Sequence, residues 1–495
     1  MNELSQFAAN ALARLPSRPA IEFDGRWYNW GELRHVADRI NDLLNDSGIP
    51  AGASVTFIPR NRPSAIAALL GLVAQSRTVR MIYAFQSGNA MARDIERLNP
   101  AVVIGAAEDF SEPVSNLLKA RDIIGIVLTE MNATLLHGPV QSTPRSMPHA
   151  AAPAQIEILT SGTTGPPKQF AISYELVAKH YIGTQAFTED DDEKFQAAAP
   201  TLLFFPLGNI SGIYSSLPVL LRGQRAVLLE RFSVAGWHEH LMRYRPEVSG
   251  LPPAGVQMIL DAGIPPADLA CIKRMGTGAA PLDPTVHRAF EELYGIPILL
   301  SYGATEFGGP VTAMTLDLYG IWGKKKLGSV GRVLPGAQLR IVDPDSGTIL
   351  PSGQEGLLEV VSPRIGPDWI RTSDIALIDE DGFMFHRGRA DGAIMRGGFK
   401  LLPEAIERAL LEHTAVSAAA VIGIVDQRLG QVPAAAIQFK PDVTPPTITE
   451  LEAHLRDRVY ATHIPAHWCF VKELPRTPTL KVDRPALKNL FDKVT

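Results

Sequence analysis

The sequence predicts an α/β protein: a large N-terminal α/β domain of packed sheets and helices, joined by a hinge to a small α+β C-terminal domain. Three observations carry this expectation. A chain of 495 residues exceeds what one hydrophobic core organises. Up to about residue 390, short apolar runs alternate with amphipathic helical patterns, as a sheet with covering helices produces. Beyond Gly388-Arg389-Ala390-Asp391-Gly392 the pattern becomes helix, strand, strand, helix, strand, and a segment of about a hundred residues is enough for a separate small domain. The boundary is placed between residues 390 and 391, giving domains 1–390 and 391–495.

Along the first domain, Trp30 to Leu44 reads as a helix, with apolar positions at Leu33, Val36, Ile40 and Leu43/Leu44. Ala51 to Ile58 reads as a turn and strand, Ser64 to Val73 as a more apolar helix, and Ala101 to Gly105 as a short buried strand. Gln141 to Ala154, rich in Pro, Ala and Ser, is a connector. In the second domain the expected elements are a helix over Pro403–Leu411, strands over Ala418–Ile424 and Ala434–Phe439, a helix over Thr449–Val459 and a strand over Trp468–Val471. There is no internal repeat.

Composition excludes several function classes. With 47 basic against 52 acidic residues the net charge is −5, so no broad basic surface for nucleic acid is implied. Cys271 and Cys469 are the only cysteines and have no metal-like spacing, which fits a reducing cytoplasm rather than a disulfide framework. Leu202 to Leu229 is the most apolar region. Pro206, Gly208, Asn209, Gly212, Pro218 and Arg222 interrupt it, so it is expected to be buried core and not an integral membrane segment. His238 and His240, two apart, are expected to be structural surface residues rather than metal ligands. Lys324-Lys325-Lys326 is expected to be a solvated loop, and Glu189 to Glu193 a solvated acidic turn.

The apolar strand Ile156–Leu159 runs into Thr160-Ser161-Gly162-Thr163-Thr164-Gly165-Pro166-Pro167-Lys168. Glycines let backbone approach an anion, hydroxyls donate hydrogen bonds, and the lysine adds positive charge. Pro167 before Lys168 and Gln169 after it exclude a Walker A loop. Further motifs follow in order: Met275-Gly276-Thr277-Gly278-Ala279-Ala280-Pro281-Leu282, Ser301-Tyr302-Gly303-Ala304-Thr305-Glu306, Leu327-Gly328-Ser329-Val330-Gly331, Arg371-Thr372-Ser373-Asp374, Gly388-Arg389-Ala390-Asp391, and Pro475-Arg476-Thr477-Pro478-Thr479-Leu480-Lys481.

Together these resemble the motifs of the ANL superfamily of adenylate-forming enzymes, over nearly the whole chain. The resemblance implies an AMP-forming acyl-CoA ligase that uses ATP, Mg²⁺ and CoA to activate a small-molecule carboxylic acid. It assigns Thr160–Lys168 to pyrophosphate, Gly278, Ala279, Ala280 and Gly303 to the adenine pocket, and Tyr302 to stacking on adenine. Thr305 would bond a phosphate, Glu306 would hold Mg²⁺, and Asp374 and Arg389 would hold ribose. Lys481 would bridge carboxylate and α-phosphate; Thr163 and Glu306 complete the catalytic set. Asp391 would be the hinge, and Gly397-Gly398 would line the tunnel for the CoA arm.

Departures from the family pattern sharpen the reading. Ser373 and Leu480 stand where glycine is usual, and Gly392 replaces the second acid of the hinge signature. Gly208 and Asn209 stand where many relatives carry an aromatic residue and a histidine bordering the acyl pocket. Losing two rings predicts a medium-sized or large hydrophobic or aromatic acid. Delivery to a carrier-protein thiol, a light-producing oxygenase and an inactive nucleotide-binding relative remain alternatives. The acid itself is not legible, and a homo-oligomer is compatible with the sequence.

Overall fold

The computed structural model describes residues 2–137, 153–160, 168–182, 193–194, 196–396, 399–441 and 443–491. By its contacts the chain forms two compact units, residues 1–246 and 247–495. In the first, the strands are β1 (Pro19–Phe23), β2 (Arg26–Asn29), β3 (Val55–Phe57), β4 (Val79–Met81), β5 (Val102–Ala106), β6 (Ile124–Leu128), β7 (Ala133–His137), β8 (Gln155–Thr160), β9 (Lys168–Ser173), β10 (Thr201–Leu203) and β11 (Ala226–Leu228). They build a seven-stranded sheet in the order β7-β6-β5-β3-β4-β8-β9 and a four-stranded sheet in the order β10-β11-β1-β2. The inner strands of the larger sheet run parallel, and β7 and β9 close it antiparallel at either edge.

Helices α1 (Glu3–Leu12), α2 (Trp30–Asp46), α3 (Pro63–Ala74), α4 (Gly88–Leu98) and α5 (Glu112–Ala120) cover this sheet. Helix α2 begins with a capping box: the Asn29 side chain accepts from the Glu32 amide at 2.9 Å, and the Glu32 carboxylate accepts from the Asn29 amide at 2.8 Å. Its apolar stripe, Leu33, Val36, Ile40 and Leu44, is buried. Each such side chain contributes about 1.5–3 kcal/mol on leaving water. Helix α3 lies against it so closely that a Cβ on Gly71 would stand 2.8 Å from the Ala37 Cβ. Alternation along β5 sends Val102 and Ile104 into the core shared with α3, and Val103 into a separate core with Met91 and Ile95 of α4 and Val114 and Leu118 of α5. The crossovers after β3 and after β4 therefore lie on opposite faces of the sheet.

The second unit holds three sheets. The first is β12 (Val248–Gly250), β13 (Arg274–Thr277), β14 (Ile298–Ala304), β15 (Gly309–Ala313) and β16 (Arg332–Val333), in that order. The second is an antiparallel meander of β17 (Gln338–Val342), β18 (Gly356–Val361), β19 (Ile370–Ile378) and β20 (Met384–Arg389). The third contains β21 (Ile394–Arg396), β22 (Phe399–Leu401), β23 (Val416–Asp426), β24 (Gly430–Phe439) and β25 (His467–Val471), covered by helices Pro403–Leu411, Ile448–Arg456 and Arg484–Phe491. The expected elements of the small domain are all present; β21 and β22, too short to show periodicity, are additions.

Some local expectations change. Leu202–Leu229 is a strand, a twelve-residue helix (Ile210–Leu221) and a strand, and no helix among the described residues is long and apolar enough to cross a membrane. His240 is not a surface residue: it is 4% exposed, and its Nε2 lies 2.8 Å from the Pro200 carbonyl. Burial pulls its pKa below the ordinary histidine value. Lys326 is not simply solvated either. Its ammonium donates to Asp379 at 2.7 Å and Asp381 at 2.5 Å, beside the rings of Trp322 and Phe383. Residues 141–152 and 189–192 of the connector and the acidic turn lie outside the described residues.

Candidate active site

The centre of the second unit is the buried carboxylate of Asp374, 7% exposed. Strands β19 and β20 pair so that Asp374 lies opposite Arg389, and the irregularity at Ile375/Ala376 re-aims the strand beside it. The Asp374 amide donates to Thr372 Oγ1 at 2.9 Å, while that hydroxyl donates to the Leu358 carbonyl at 2.8 Å. The carboxylate then gathers three partners. The Tyr302 hydroxyl donates to Oδ2, His386 Nε2 lies 3.3 Å from Oδ1, and Arg389 Nη1 lies 3.6 Å from the same oxygen. Burial alone would raise the Asp374 pKa; His386, Tyr302 and Arg389 outweigh it and hold it below the ordinary aspartate value. Burial together with the adjacent carboxylate pushes the Tyr302 phenol well above its usual range, so it stays a neutral donor. The Tyr302 ring stacks on His386 at 5.8 Å.

Tyr302 arrives at this point because Gly303 lets β14 and β15 close together: a Cβ there would stand 2.4 Å from the Gly309 carbonyl oxygen. The turn Thr305–Phe307 follows directly, with Phe307 buried and Glu306 exposed. At the end of β13, a Cβ on Gly278 would stand 2.6 Å from Ser301 Oγ, and Ala279 adopts the left-handed region at φ +69°. Glycine at 278 is therefore favoured by the protein's own packing.

Arg389 is held from the other side. Its Nε and Nη2 donate to Asp391 at 2.9 and 2.7 Å, and Nη2 donates to Ser373 Oγ at 2.6 Å. Ser373 in turn donates to Asp391 Oδ2 at 3.0 Å. The serine that departs from the family glycine thus adds a link between Arg389 and Asp391. The hydrogen bonds to Asp391 raise the Arg389 pKa, and the guanidinium stays charged.

Lys481 comes to this cluster on a tight turn. Thr477 N–H donates to the Lys481 carbonyl and Leu480 N–H to the Thr477 carbonyl, both at 2.8 Å; Arg476 Nη1 donates to the Leu480 carbonyl at 3.0 Å. Leu480 sits at φ +61°, a conformation in which a side chain costs roughly 1–2 kcal/mol and glycine costs little. Much of the Lys481 side chain is accessible, yet the surrounding protein removes enough water to lower its pKa. The Arg389 charge adds to that lowering, whereas Glu306 and Asp374 oppose it. Tyr302, Glu306, Asp374, Arg389 and Lys481, separated by up to 179 residues, therefore converge.

Other expected site residues belong to the first unit or lie outside the described residues. Thr160 ends β8 and Lys168 begins β9, and the two are register partners. Ser161, Gly162, Thr163, Thr164 and Gly165 lie outside the described residues, as do Gly397 and Gly398. The strands flanking that glycine pair run antiparallel, with Arg396 opposite Phe399. In the first unit Gly208 is buried, and a Cβ there would meet Pro59, Ile82 and Tyr83 at 3.5–3.7 Å, ordinary contact distances. Asn209 precedes the helix Ile210–Leu221 without capping it through its side chain. His386 was not anticipated: it belongs to no motif, and only the pairing of β19 with β20 brings it to Asp374.

Comparison with known proteins decides the family. The family model described as AMP-binding enzyme matches residues 7–367, and that of the AMP-binding enzyme C-terminal domain matches residues 405–481. The chain belongs to the AMP-binding enzymes. It is 25% identical to a 2-succinylbenzoate–CoA ligase of Bacillus cereus over 97% of each chain. It is 31% identical to a sulfoacetate–CoA ligase of Cupriavidus necator, covering 98% of this chain and 97% of that one. Its fold matches ATP-bound MatB from Rhodopseudomonas palustris with a TM-score of 0.80 over 100% of both chains, at 21% identity. As in this family, a large N-terminal domain precedes a small C-terminal one.

Two outcomes are expected from this geometry. Tyr302→Phe removes a hydrogen bond to a buried charge and should cost about 1–3 kcal/mol at neutral pH. Because the Asp374 pKa is depressed, its stabilising contribution is present above the unfolded value, about 3.9, and lost as pH falls through the folded one. The wild type–variant gap in thermal unfolding should therefore shrink below about pH 4; an undiminished gap would contradict the ionised Asp374 partner. At Leu480, Gly should unfold within about 1 kcal/mol of wild type, as strain relief offsets backbone entropy. Leu480→Val, β-branched at positive φ, should lose about 1–2 kcal/mol. Equal effects of the two would refute the strain at this turn.

Proposed function

We propose that this AMP-binding enzyme activates a carboxylic acid with ATP and transfers the acyl group to CoA. The observation that carries the reading is the convergence of Lys481 on Asp374, Arg389 and Glu306. A carboxylate and a triphosphate repel, so adenylation needs a cation between them and firm positioning of both. The Lys481 ammonium is assigned that place: it bonds the attacking carboxylate and the α-phosphate together. The carboxylate oxygen attacks the α-phosphorus, the bond to the β-phosphate oxygen breaks, and pyrophosphate leaves. Asp374, an ionised acceptor, and Arg389 are assigned to the ribose, Tyr302 to the adenine, and Thr305 to phosphate.

The segment from Thr160 to Lys168, with Thr163 among its hydroxyls, is assigned to the pyrophosphate. Glu306 suits a hard cation that also binds phosphate oxygens. Among the described residues no cluster of three or more His, Cys, Asp or Glu could hold a metal. Phosphates and water would complete the shell of Mg²⁺, whose chemistry here is charge neutralisation. In the second step the CoA sulfur attacks the acyl carbon, AMP leaves, and the thiol proton passes to solvent. Gly397-Gly398 is assigned to the thiol arm. The mobile boundary is placed at Asp391, where a hinge would exchange Lys481 for that loop.

The acid is read as medium-sized or large, hydrophobic or aromatic. Its support is the aromatic acid named for the Bacillus cereus relative and the small residues at Gly208 and Asn209. The sulfoacetate-specific relative marks the opposing outcome.

The expected result with a panel of aromatic, aliphatic, polycyclic and sulfonated acids is AMP release that requires one acid and rises on adding CoA. Activity confined to sulfoacetate or acetate would overturn the acid class, and no exchange of pyrophosphate with any acid would overturn adenylation. Lys481→Ala should lose adenylation by roughly 10²-fold or more while still converting supplied acyl-adenylate to thioester. Gly398→Leu should do the reverse. Equal losses in both half-reactions would remove the roles assigned to these residues.

A further inference from the structure

The seven-stranded sheet of the first unit has a feature the acid-activating reading does not use. From β3 the chain crosses to β4 on one side, then returns past β3 to β5 and on to β6. With α3 on one face and α4 and α5 on the other, the crossovers diverge between β3 and β5. Such a reversal opens a crevice beyond the carboxyl ends of the strands, where open α/β sheets bind ligands. Here a cleft of about 570 Å³ occupies that position. Ile58 and Arg60 follow β3, Ala107 and Glu108 follow β5, and Thr129 and Glu130 follow β6; Arg26 and Tyr28 of β2 form the opposite wall.

Helix α3 starts at this cleft with Pro63 in its first turn and no side-chain cap. Its N-terminal amides carry the positive end of a twelve-residue helix. Ser64, 4% exposed, lines the cleft, and its hydroxyl has no hydrogen-bond partner among the described residues. Arg60 and Arg62 flank it. Asp109 fixes Arg60 from behind: Arg60 Nη2 lies 2.7 Å from Oδ1, and the aspartate's other oxygen accepts the Ala106 amide at 2.8 Å. Glu108 differs. Its carboxylate is 43% exposed and bridges Arg62 at 2.6 Å and Arg60 at 3.5 Å, with Glu230 2.9 Å from Arg62 and 3.7 Å from Arg60. The ion pairs account for the guanidinium groups but not for the hydroxyl of Ser64, unpartnered and open to the cleft on an otherwise buried residue at an uncapped helix end. Glu108 stands where an external oxyanion would bridge the same two forks.

We propose that this cleft binds a small phosphomonoester, its phosphate seated between Ser64 at the start of α3 and the guanidinium groups of Arg60 and Arg62, with Glu108 displaced toward solvent. The forks supply bidentate donors, the helix end supplies amides, and Ser64 supplies the remaining hydroxyl. At the far wall, Arg26 is paired with Glu130 at 2.7 Å and Tyr28 donates to the same carboxylate at 3.0 Å, leaving acceptors for the hydroxyl groups of the ester.

The test is calorimetric titration of the full chain with ribose 5-phosphate and with inorganic phosphate. Saturating Mg-ATP is present and carboxylic acid is absent, so the nucleotide site is filled. Saturable binding of ribose 5-phosphate is expected. Ser64→Glu should abolish it, and Arg62→Gln should weaken it roughly tenfold or more. Glu108→Gln, which removes the internal competitor, should tighten it several-fold; a structural ion-pair network predicts no gain. Ser64→Ala, which leaves the helix unburdened, should weaken binding should Ser64→Glu fold poorly. Adenylation should be unchanged in the Ser64 variants. Absence of saturable binding to wild type, binding unmoved by both Ser64 substitutions, or weakening by Glu108→Gln would each overturn the proposal.

Discussion

Much of the second unit is arranged around one carboxylate kept ionised away from water. Burying a charge is costly unless partners replace its hydration. Asp374 obtains those partners from separate pieces of chain: its own strand supplies the Thr372 hydroxyl to its amide, β20 supplies His386 and Arg389, and β14 supplies Tyr302. The register of β19 with β20 and the glycine-dependent closure of β14 on β15 are both prerequisites. With the carboxylate in place, Tyr302 is fixed as a neutral donor and Arg389 as a permanent cation, and the opposite charges of Arg389 and Asp374 in turn act on Lys481 in opposite senses.

The turn bearing Lys481 answers to a different constraint. A long flexible side chain reaches a defined point only if its backbone is rigid. Here two backbone hydrogen bonds and the Arg476 guanidinium close the turn around Leu480. The price is a left-handed leucine, where glycine would fit without strain. Burial lowers the Arg476 pKa, so this cation is held among protein atoms rather than left to solvent. Strain at a residue adjoining a functional group persists where the surroundings over-determine it, and the three hydrogen bonds that link Arg476, Thr477, Leu480 and Lys481 meet that condition.

What was legible from sequence follows from how local the cause is. The capped, amphipathic helix from Trp30 and the helix over Pro403–Leu411 are written in adjacent residues, and both were read within two residues of their ends. The convergence of Tyr302, Glu306, Asp374, Arg389 and Lys481 was readable only because a resemblance supplied it; no periodicity links residues so far apart. His386 and the Ser373 bridge belong to strand pairing and were invisible. His240 and Lys326 were misjudged for the same reason: their partners, Pro200 and the Asp379/Asp381 pair, are distant in sequence. Gly303 and Gly278, both expected at the nucleotide site, also meet a demand that sequence does not show, since close backbone and side-chain packing leaves little room for a Cβ at either.

The two anion sites proposed for the first unit rest on different physics, which is why one is a motif and the other is not. Thr160 and Lys168 belong to antiparallel strands, and the hydroxyls, glycines and lysine of that motif are written into consecutive positions. The cleft beyond β3 and β5 would instead draw its donors from a helix end and from arginines anchored by buried or bridging carboxylates. Its components come from the segments after three strands and from a hairpin of the other sheet, at spacings set by helix and loop lengths rather than by chemistry. Such a site leaves no contiguous signature. It becomes visible only when strand order shows where the crossovers part, and when a serine lining that crevice is found with its hydroxyl unpartnered.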